Sequence, residues 1–143
     1  MVEKFNFRTI PILDSTGKKV MRVLVRPILR VRLCFNHKMT VTPVDCAIDT
    51  GADINLFPAS WAESIGVKIV EGKPAPIRGI GNIIISGYEH RFKLFIVNSK
   101  ISFDTSAIFS YEQTVPLLGM RGFIDHFKRV TLDIEEDVFK LEY

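Results

Sequence analysis

The segment at residues 21–33, MRVLVRPILRVRL, constrains the fold most strongly because its side chains alternate in character along the chain. Its apolar odd positions are Met21, Val23, Val25, Leu29, Val31 and Leu33, and its arginines fall on the even positions Arg22, Arg26, Arg30 and Arg32. A period of two is that of an extended strand, so the arginines share one face. Because Pro27 cannot donate to a sheet ladder, we predict either one bent edge strand or two strands that meet there.

The row of arginines has two interpretations. It is either a solvated face that keeps an edge strand from pairing with other chains, or a surface that contacts phosphates. The net charge of +3 is too small by itself to indicate a nucleic-acid partner. We therefore favour the solvated face and expect no nucleic acid among the partners.

Strand patterns dominate the rest of the chain. Alternation over residues 5–11 leads into a turn cluster at residues 14–19, DSTGKK, and the tail from residue 129 predicts two strands around the acidic turn at residues 135–137. Helix signals are confined to residues 58–66, which open with proline and close with glycine, and to residues 122–127. The sequence predicts an all-β chain with one or two short helices.

Length and composition favour one ordinary folded domain. A chain of 143 residues is about the size of one domain, so we expect a single domain over residues 1–143. The two cysteines, Cys34 and Cys46, have no metal-ligand spacing, and we expect neither a metal nor a cofactor.

No signal-peptide pattern opens the chain, and no apolar run approaches the roughly 18 residues of a membrane span. The expectation is a cytoplasmic protein without membrane partners.

The stretch AIDTGADINLFP, residues 47–58, places Asp-Thr-Gly directly after an apolar strand. Its acid, Asp49, is either a turn residue between strands or a catalytic carboxylate held at the tip of a loop. The glycine lets the backbone turn tightly beneath the acid. The tripeptide alone is weak support, because about 2% of chains of this length would contain it by chance.

Two further segments give the tripeptide a context. RGIGN, residues 78–82, lies inside a candidate hairpin, and VPLLGMRGFIDHF, residues 115–127, has two apolar residues and a glycine before a short helix. In this order the three segments resemble the retropepsin-like aspartic proteases, the single-domain relatives of pepsin, in which the hairpin forms a flap. The resemblance extends from about residue 44 to the end of the chain. It implies a closed β-barrel, like one lobe of pepsin, that acts as a homodimer.

The resemblance also implies a role for each matching residue. Asp49 would be the catalytic acid and base. The structural parts of the site would be Thr50, Gly51, Leu118 and Gly119. The substrate-binding residues would be Ala52 and Asp53, together with Gly79, Ile80 and Gly81 at the tip of the flap.

The chemistry of such an enzyme requires a second carboxyl group. Two carboxyl groups about 3 Å apart share one proton, so one serves as a base toward water while the other serves as an acid toward the peptide carbonyl. Asp14 has an extra residue before its glycine, and Asp104 is followed by Thr105 and then by Ser106 where glycine is needed. The resemblance therefore implies a homodimeric endopeptidase that contributes Asp49 from each subunit and takes a peptide or protein as substrate.

One position departs from the family pattern. In retroviral enzymes an arginine directly after the last glycine braces the acid that corresponds to Asp53, whereas here Met120 stands there and Arg121 follows. Either Arg121 substitutes for that arginine or the brace is missing. The family's terminal strands, which join the two subunits, would correspond to residues 1–7 and 139–143. The alternative function is a non-catalytic dimeric module that binds peptides or proteins with the same fold.

Overall fold

The protein is built mainly from short strands. The structure, a computed structural model, describes residues 1–143 with the exception of the side chain of Ile80. Strands form 52% of the chain and helices 9%, which confirms the predicted β class. The strands are β1 (Val2–Asn6), β2 (Arg8–Leu13), β3 (Val20–Arg26), β4 (Ile28–Phe35), β5 (Lys38–Met39), β6 (Val44–Ile48), β7 (Leu56–Pro58), β8 (Lys73–Pro74), β9 (Ile77–Arg78), β10 (Ile84–Ile85), β11 (Tyr88–Ile96), β12 (Ser102–Ser110), β13 (Leu117–Leu118), β14 (Arg129–Asp133) and β15 (Val138–Glu142).

The chain divides into two compact units. The first is formed by Met1–Ile28 together with Phe127–Tyr143, and the second by Leu29–His126. This division into compact units does not test the expectation of a single domain over residues 1–143, which stays a prediction.

The first unit contains a three-stranded sheet and a hairpin. The sheet has the order β1-β15-β14, and β2 pairs with β3. Phe139 on β15 is fully buried, and its ring stacks on Phe5 and Phe7 with centroid distances of 5.2 and 6.3 Å. The antiparallel pairing of β14 with β15 confirms the two strands predicted around residues 135–137.

The second unit is a closed barrel of six strands. Its sheet has the order β5-β4-β6-β13-β7-β12-β11-β8, and the additional pairing of β4 with β11 closes the ring. Buried aromatic rings fill part of the interior. The ring centroids of Phe57 and Phe109 lie 5.7 Å apart, and both residues are inaccessible to solvent. This barrel positions every residue of the candidate site other than those of the hairpin at residues 77–85.

The alternation predicted at residues 21–33 is correct for β4. Strand β3 ends at Arg26 and β4 begins at Ile28, so the segment forms two strands separated by Pro27. This is one of the two predicted arrangements. Leu29, Val31 and Leu33 are buried on β4, whereas Arg30 is exposed and forms an ion pair with Asp45 at 2.8 Å. On β3 the same alternation leads to a different outcome, because its apolar odd positions are exposed.

The helical segments are short. They are α1 (Ala59–Glu63) and three 3-10 turns at Ile69–Glu71, Ile80–Asn82 and Ile124–His126. Pro58 precedes α1 as predicted, but the helix expected at residues 122–127 is reduced to one 3-10 turn. Gly122 itself cannot belong to the helix, because its φ of 92° lies outside the helical region, and its N–H donates to Oδ1 of Asp125 at the start of the 3-10 turn. In the part of the chain that is described, no helix has the length and apolar character needed to cross a membrane.

Candidate functional site

Asp49 follows directly after β6, in the loop that leads to β7. Strand β6 runs parallel to β13, with Ala47 opposite Leu117 and Ile48 opposite Leu118. The pairing extends one residue further, because the N–H of Asp49 donates to the carbonyl of Leu118 at 3.0 Å. Leu118 is fully buried, so the backbone of Asp49 is anchored to the barrel wall while the residue itself is half-buried.

The carboxyl group of Asp49 is oriented by its own loop. The N–H of Gly51 donates to Oδ1 of Asp49 at 2.8 Å, and the N–H of Ala52 donates to the Asp49 carbonyl at 3.2 Å. A Cβ at residue 51 would lie 3.2 Å from that Oδ1, closer than ordinary contact. Within the described chain Oδ2 makes no hydrogen bond, and it is the oxygen that remains for a ligand or a second acid.

The loop after β13 lies directly against the Asp49 loop. The N–H of Met120 donates to the carbonyl of Ala52 at 2.8 Å. A Cβ at Gly119 would lie 2.5 Å from the carbonyl oxygen of Ile54 and 2.8 Å from that of Ala52. Both neighbours are backbone atoms and cannot rotate away, so this approach of the two loops requires glycine at position 119.

Asn55 ties these loops to the barrel, a role that the sequence analysis missed. Its side chain is completely buried, and its Oδ1 accepts a hydrogen bond from the N–H of Gly119 at 3.0 Å. Its Nδ2 donates to the carbonyl of Ser106 on β12 at 3.1 Å. The sequence does contain a sign of this role, because Asn55 is a polar residue inside the apolar run INLFP. A buried amide side chain is almost always hydrogen-bonded, commonly to backbone groups.

Replacement of Asn55 by alanine is expected to lower the free energy of unfolding by about 2 to 3 kcal/mol. The N–H of Gly119 and the carbonyl of Ser106 would both lose a partner in a buried place, and each unpaired group costs about 1 to 3 kcal/mol. Urea unfolding followed by tryptophan fluorescence measures the change. Asn6→Ala, at an exposed position of β1, is the matched control and should change stability by less than about 0.5 kcal/mol. Equal stability of the two variants would remove Asn55 from this role.

Arg121 supports Asp53 through the backbone. Its N–H donates to the Asp53 carbonyl at 3.0 Å, and Arg121 is one of the residues that line a pocket of about 290 Å³, together with Glu89, Arg91 and Asp125. Among the described side chains, no ion pair joins Asp53 to Arg121. The described side chains of one subunit therefore contain no arginine brace for Asp53.

The segment predicted as a flap forms a small hairpin. Strands β9 and β10 pair antiparallel, and the N–H of Gly79 donates to the Ile83 carbonyl at 2.8 Å. Gly81 has a φ of 77°, which favours glycine, and Nη1 of Arg78 donates to Oδ1 of Asn82 at 3.2 Å. The side chain of Ile80, also predicted to bind substrate, lies outside what the structure describes. The role of Gly79, Ile80 and Gly81 as a flap stays a prediction.

The two other aspartates considered from sequence lie in different settings. Asp104 is exposed within β12, opposite Lys93, and not on a loop. Asp14 lies in the turn between β2 and β3. Its Oδ1 accepts two hydrogen bonds from Thr16, one from the hydroxyl at 2.6 Å and one from the backbone N–H at 3.0 Å. The hydroxyl bond is the main reason why the pKa of Asp14 lies below its usual value.

Cys46 lies three residues before Asp49 but has no properties of a nucleophile. It is fully buried, and this burial, with a smaller contribution from Asp45, raises the pKa of its thiol well above the usual value. The thiol therefore stays protonated at neutral pH. Among the described residues, no group of three or more His, Cys, Asp and Glu side chains is placed to hold a metal ion.

The predicted site residues fall into two groups. The barrel brings one group together in the loop after β6 and at the end of β13: Asp49, Thr50, Gly51, Ala52, Asp53, Leu118 and Gly119. The remaining three residues belong to the hairpin at residues 77–85. No protein-family model and no curated protein matches the chain.

Proposed function

We propose that the chain is a retropepsin-like aspartic endopeptidase that hydrolyses peptide bonds as a homodimer. The observation that carries this proposal is the setting of Asp49. Its backbone is fixed to Leu118, one carboxyl oxygen is fixed by Gly51, and the other oxygen has no partner among the described residues. A half-buried acid held in this way is suited to catalysis because its orientation is set before the substrate binds.

The proposal requires a second copy of the chain. One carboxyl group cannot act on water as a base and on the peptide carbonyl as an acid in the same step, and the chain offers one aspartate backed by Thr-Gly. Thr50, next to Asp49, is exposed, and its hydroxyl makes no hydrogen bond among the described residues. A dimer with two-fold symmetry would supply both the second carboxyl group and a partner for that hydroxyl.

In the proposed mechanism the two Asp49 carboxyl groups share one proton. The ionised group removes a proton from a water molecule, which attacks the carbonyl carbon of the substrate. The protonated group donates its proton to the carbonyl oxygen, so the tetrahedral intermediate forms without a separated charge. The group that took the proton from water then gives it to the amide nitrogen, while the other group takes a proton back from a hydroxyl of the intermediate. The C–N bond breaks, an acid and an amine are released, and the pair again holds one proton. Ala52 and Asp53 would contact the substrate backbone, and Gly79, Ile80 and Gly81 would cover it.

The three-stranded sheet of the first unit is the surface that we propose for subunit pairing. Strand β1 pairs with β15 within one chain, from Val2 opposite Glu142 to Asn6 opposite Val138. The order β1-β15-β14 leaves the outer edges of β1 and β14 without a strand in the described chain. A second copy can add to such an edge through backbone hydrogen bonds.

The dependence of activity on concentration tests the proposal. Sedimentation velocity at micromolar concentration is expected to give a mass of about twice 16.3 kDa. Peptide cleavage per chain should rise with protein concentration below the dissociation constant of the dimer and become constant above it. A monomer throughout the micromolar range would contradict the proposal. A stable dimer that cuts nothing would instead favour a non-catalytic binding module.

A further inference from the structure

The hairpin of β2 and β3 presents an apolar face to solvent. Met21, Val23 and Val25 on β3 are 63%, 53% and 47% exposed, and Leu13 on β2 is 46% exposed. Side chains of one parity share a face of a strand, so the three β3 residues form a continuous stripe. A strand usually buries such a stripe, and an apolar patch left exposed commonly marks an interaction site.

The same stripe lies next to an open strand edge. Pro11 on β2 is paired with Val23, and proline has no N–H to donate. We therefore assign Pro11 and Val23 to a pair without ladder hydrogen bonds. In an antiparallel ladder such pairs alternate with hydrogen-bonded ones, so the neighbouring pair of Ile10 with Leu24 is hydrogen-bonded. The N–H and C=O groups of Val23 and Val25 then point away from β2. In the described chain β3 has β2 as its one neighbour, so these groups face outward.

The hairpin is also more cationic than the rest of the chain taken together. Residues 8–26 contain five lysines and arginines and one acid, Asp14, whereas the rest of the chain has 14 basic and 15 acidic residues. Arg22 and Arg26 on β3 are exposed and have no ion-pair partner among the described residues. A second copy of this hairpin would bring like charges together at a self-complementary interface, so the charge favours an anionic partner.

We propose that the hairpin β2–β3 binds an extended acidic segment of another protein, which adds a strand to the open edge of β3. The partner's backbone pairs with Val23 and Val25, its apolar residues extend the exposed stripe, and its acidic residues lie near Arg22 and Arg26. An anionic membrane would match the charge, but lipid cannot pair with the backbone groups of the edge. The inference is independent of the proposed proteolysis.

The test uses the full chain and a designed fluorescein-labelled peptide of eight residues that alternates glutamate and valine. A peptide that alternates lysine and valine is the matched probe, and binding is measured by fluorescence anisotropy. The glutamate peptide is expected to bind at least about tenfold more tightly, because two arginines lie beside the open edge. In hydrogen exchange, the amides of Val23 and Val25 should be slowed when the glutamate peptide is bound.

The double variant Arg22→Glu with Arg26→Glu should reverse the preference between the two peptides. Its matched control, Lys38→Glu with Lys100→Glu, changes the same charge at exposed positions outside the hairpin and should keep the original preference. Circular dichroism establishes that both variants are folded. Equal binding of the two peptides would overturn the proposal, as would an unchanged preference in the hairpin variant. Protection of these amides by phosphatidylserine vesicles but not by the peptide would assign the surface to membranes instead.

Discussion

Asp49→Asn is expected to reduce peptide cleavage by about a thousandfold or more while leaving the fold intact. An amide cannot take a proton from water at neutral or mildly acidic pH, and acid–base catalysis of this kind contributes about 10² to 10⁴ in rate. The substitution preserves shape, and the bond from the N–H of Gly51 can be kept because the amide oxygen also accepts. Cleavage of a peptide library between about pH 4 and 7, with and without pepstatin, measures the loss.

Asp104→Asn is the matched control for this substitution. Asp104 is also followed by a threonine, but it lies exposed within β12 and not in a loop where a glycine follows the threonine. Its removal should leave the cleavage rate within about twofold of the wild type. If the Asp49 variant cut as well as the Asp104 variant, Asp49 would be a turn residue and the proposed mechanism would be wrong.

Gly119→Ala is expected to destabilise the protein by about 4 kcal/mol or to prevent folding. The added Cβ would lie 2.5 Å from the carbonyl oxygen of Ile54, so the loop after β13 would have to move away from the Asp49 loop. That movement would also lengthen the bond from the N–H of Gly119 to Asn55. Urea unfolding measures the effect, and any folded fraction should have lost most of its cleavage activity.

Gly79→Ala separates this steric effect from a general effect of adding a methyl group. Gly79 has a φ of −92°, and a Cβ there would have its nearest neighbour, the Ile83 carbonyl oxygen, at 3.7 Å. Its stability should stay within about 0.5 kcal/mol of the wild type. Equal stability of the two alanine variants would show that the two loops do not approach as closely as 2.5 Å implies.

Local patterns predicted the parts of the fold that depend on neighbouring residues. The alternation on β4, the break at Pro27 and the turn at residues 135–137 all follow from strand period and turn chemistry, and all three are present. The role of Gly51 in the turn beneath Asp49 could also be predicted, because the glycine lies two residues after the acid. The exposure of the apolar face of β3 could not be predicted, since a period of two identifies the faces of a strand but not which face is covered.

The candidate site depends on contacts that no local pattern contains. The parallel pairing of β6 with β13 joins segments far apart in sequence, and the Leu-Leu-Gly match pointed to it through the family resemblance alone. Asn55 was overlooked because its two partners, Gly119 and Ser106, are distant in sequence. Arg121, whose role the sequence left undecided, is one of the residues that line a pocket, and no ion pair among the described side chains joins it to Asp53.

The central claim, that two Asp49 carboxyl groups act together, is tested most directly by mixing wild-type chain with Asp49→Asn chain at constant total concentration. After subunit exchange, cleavage should fall with the square of the wild-type fraction, to about one quarter at equal amounts, because a dimer with one asparagine lacks half of the pair. A linear fall, to about one half, would contradict the claim, since one carboxyl group would then suffice. Absence of cleavage by a folded, dimeric wild type would contradict it as well.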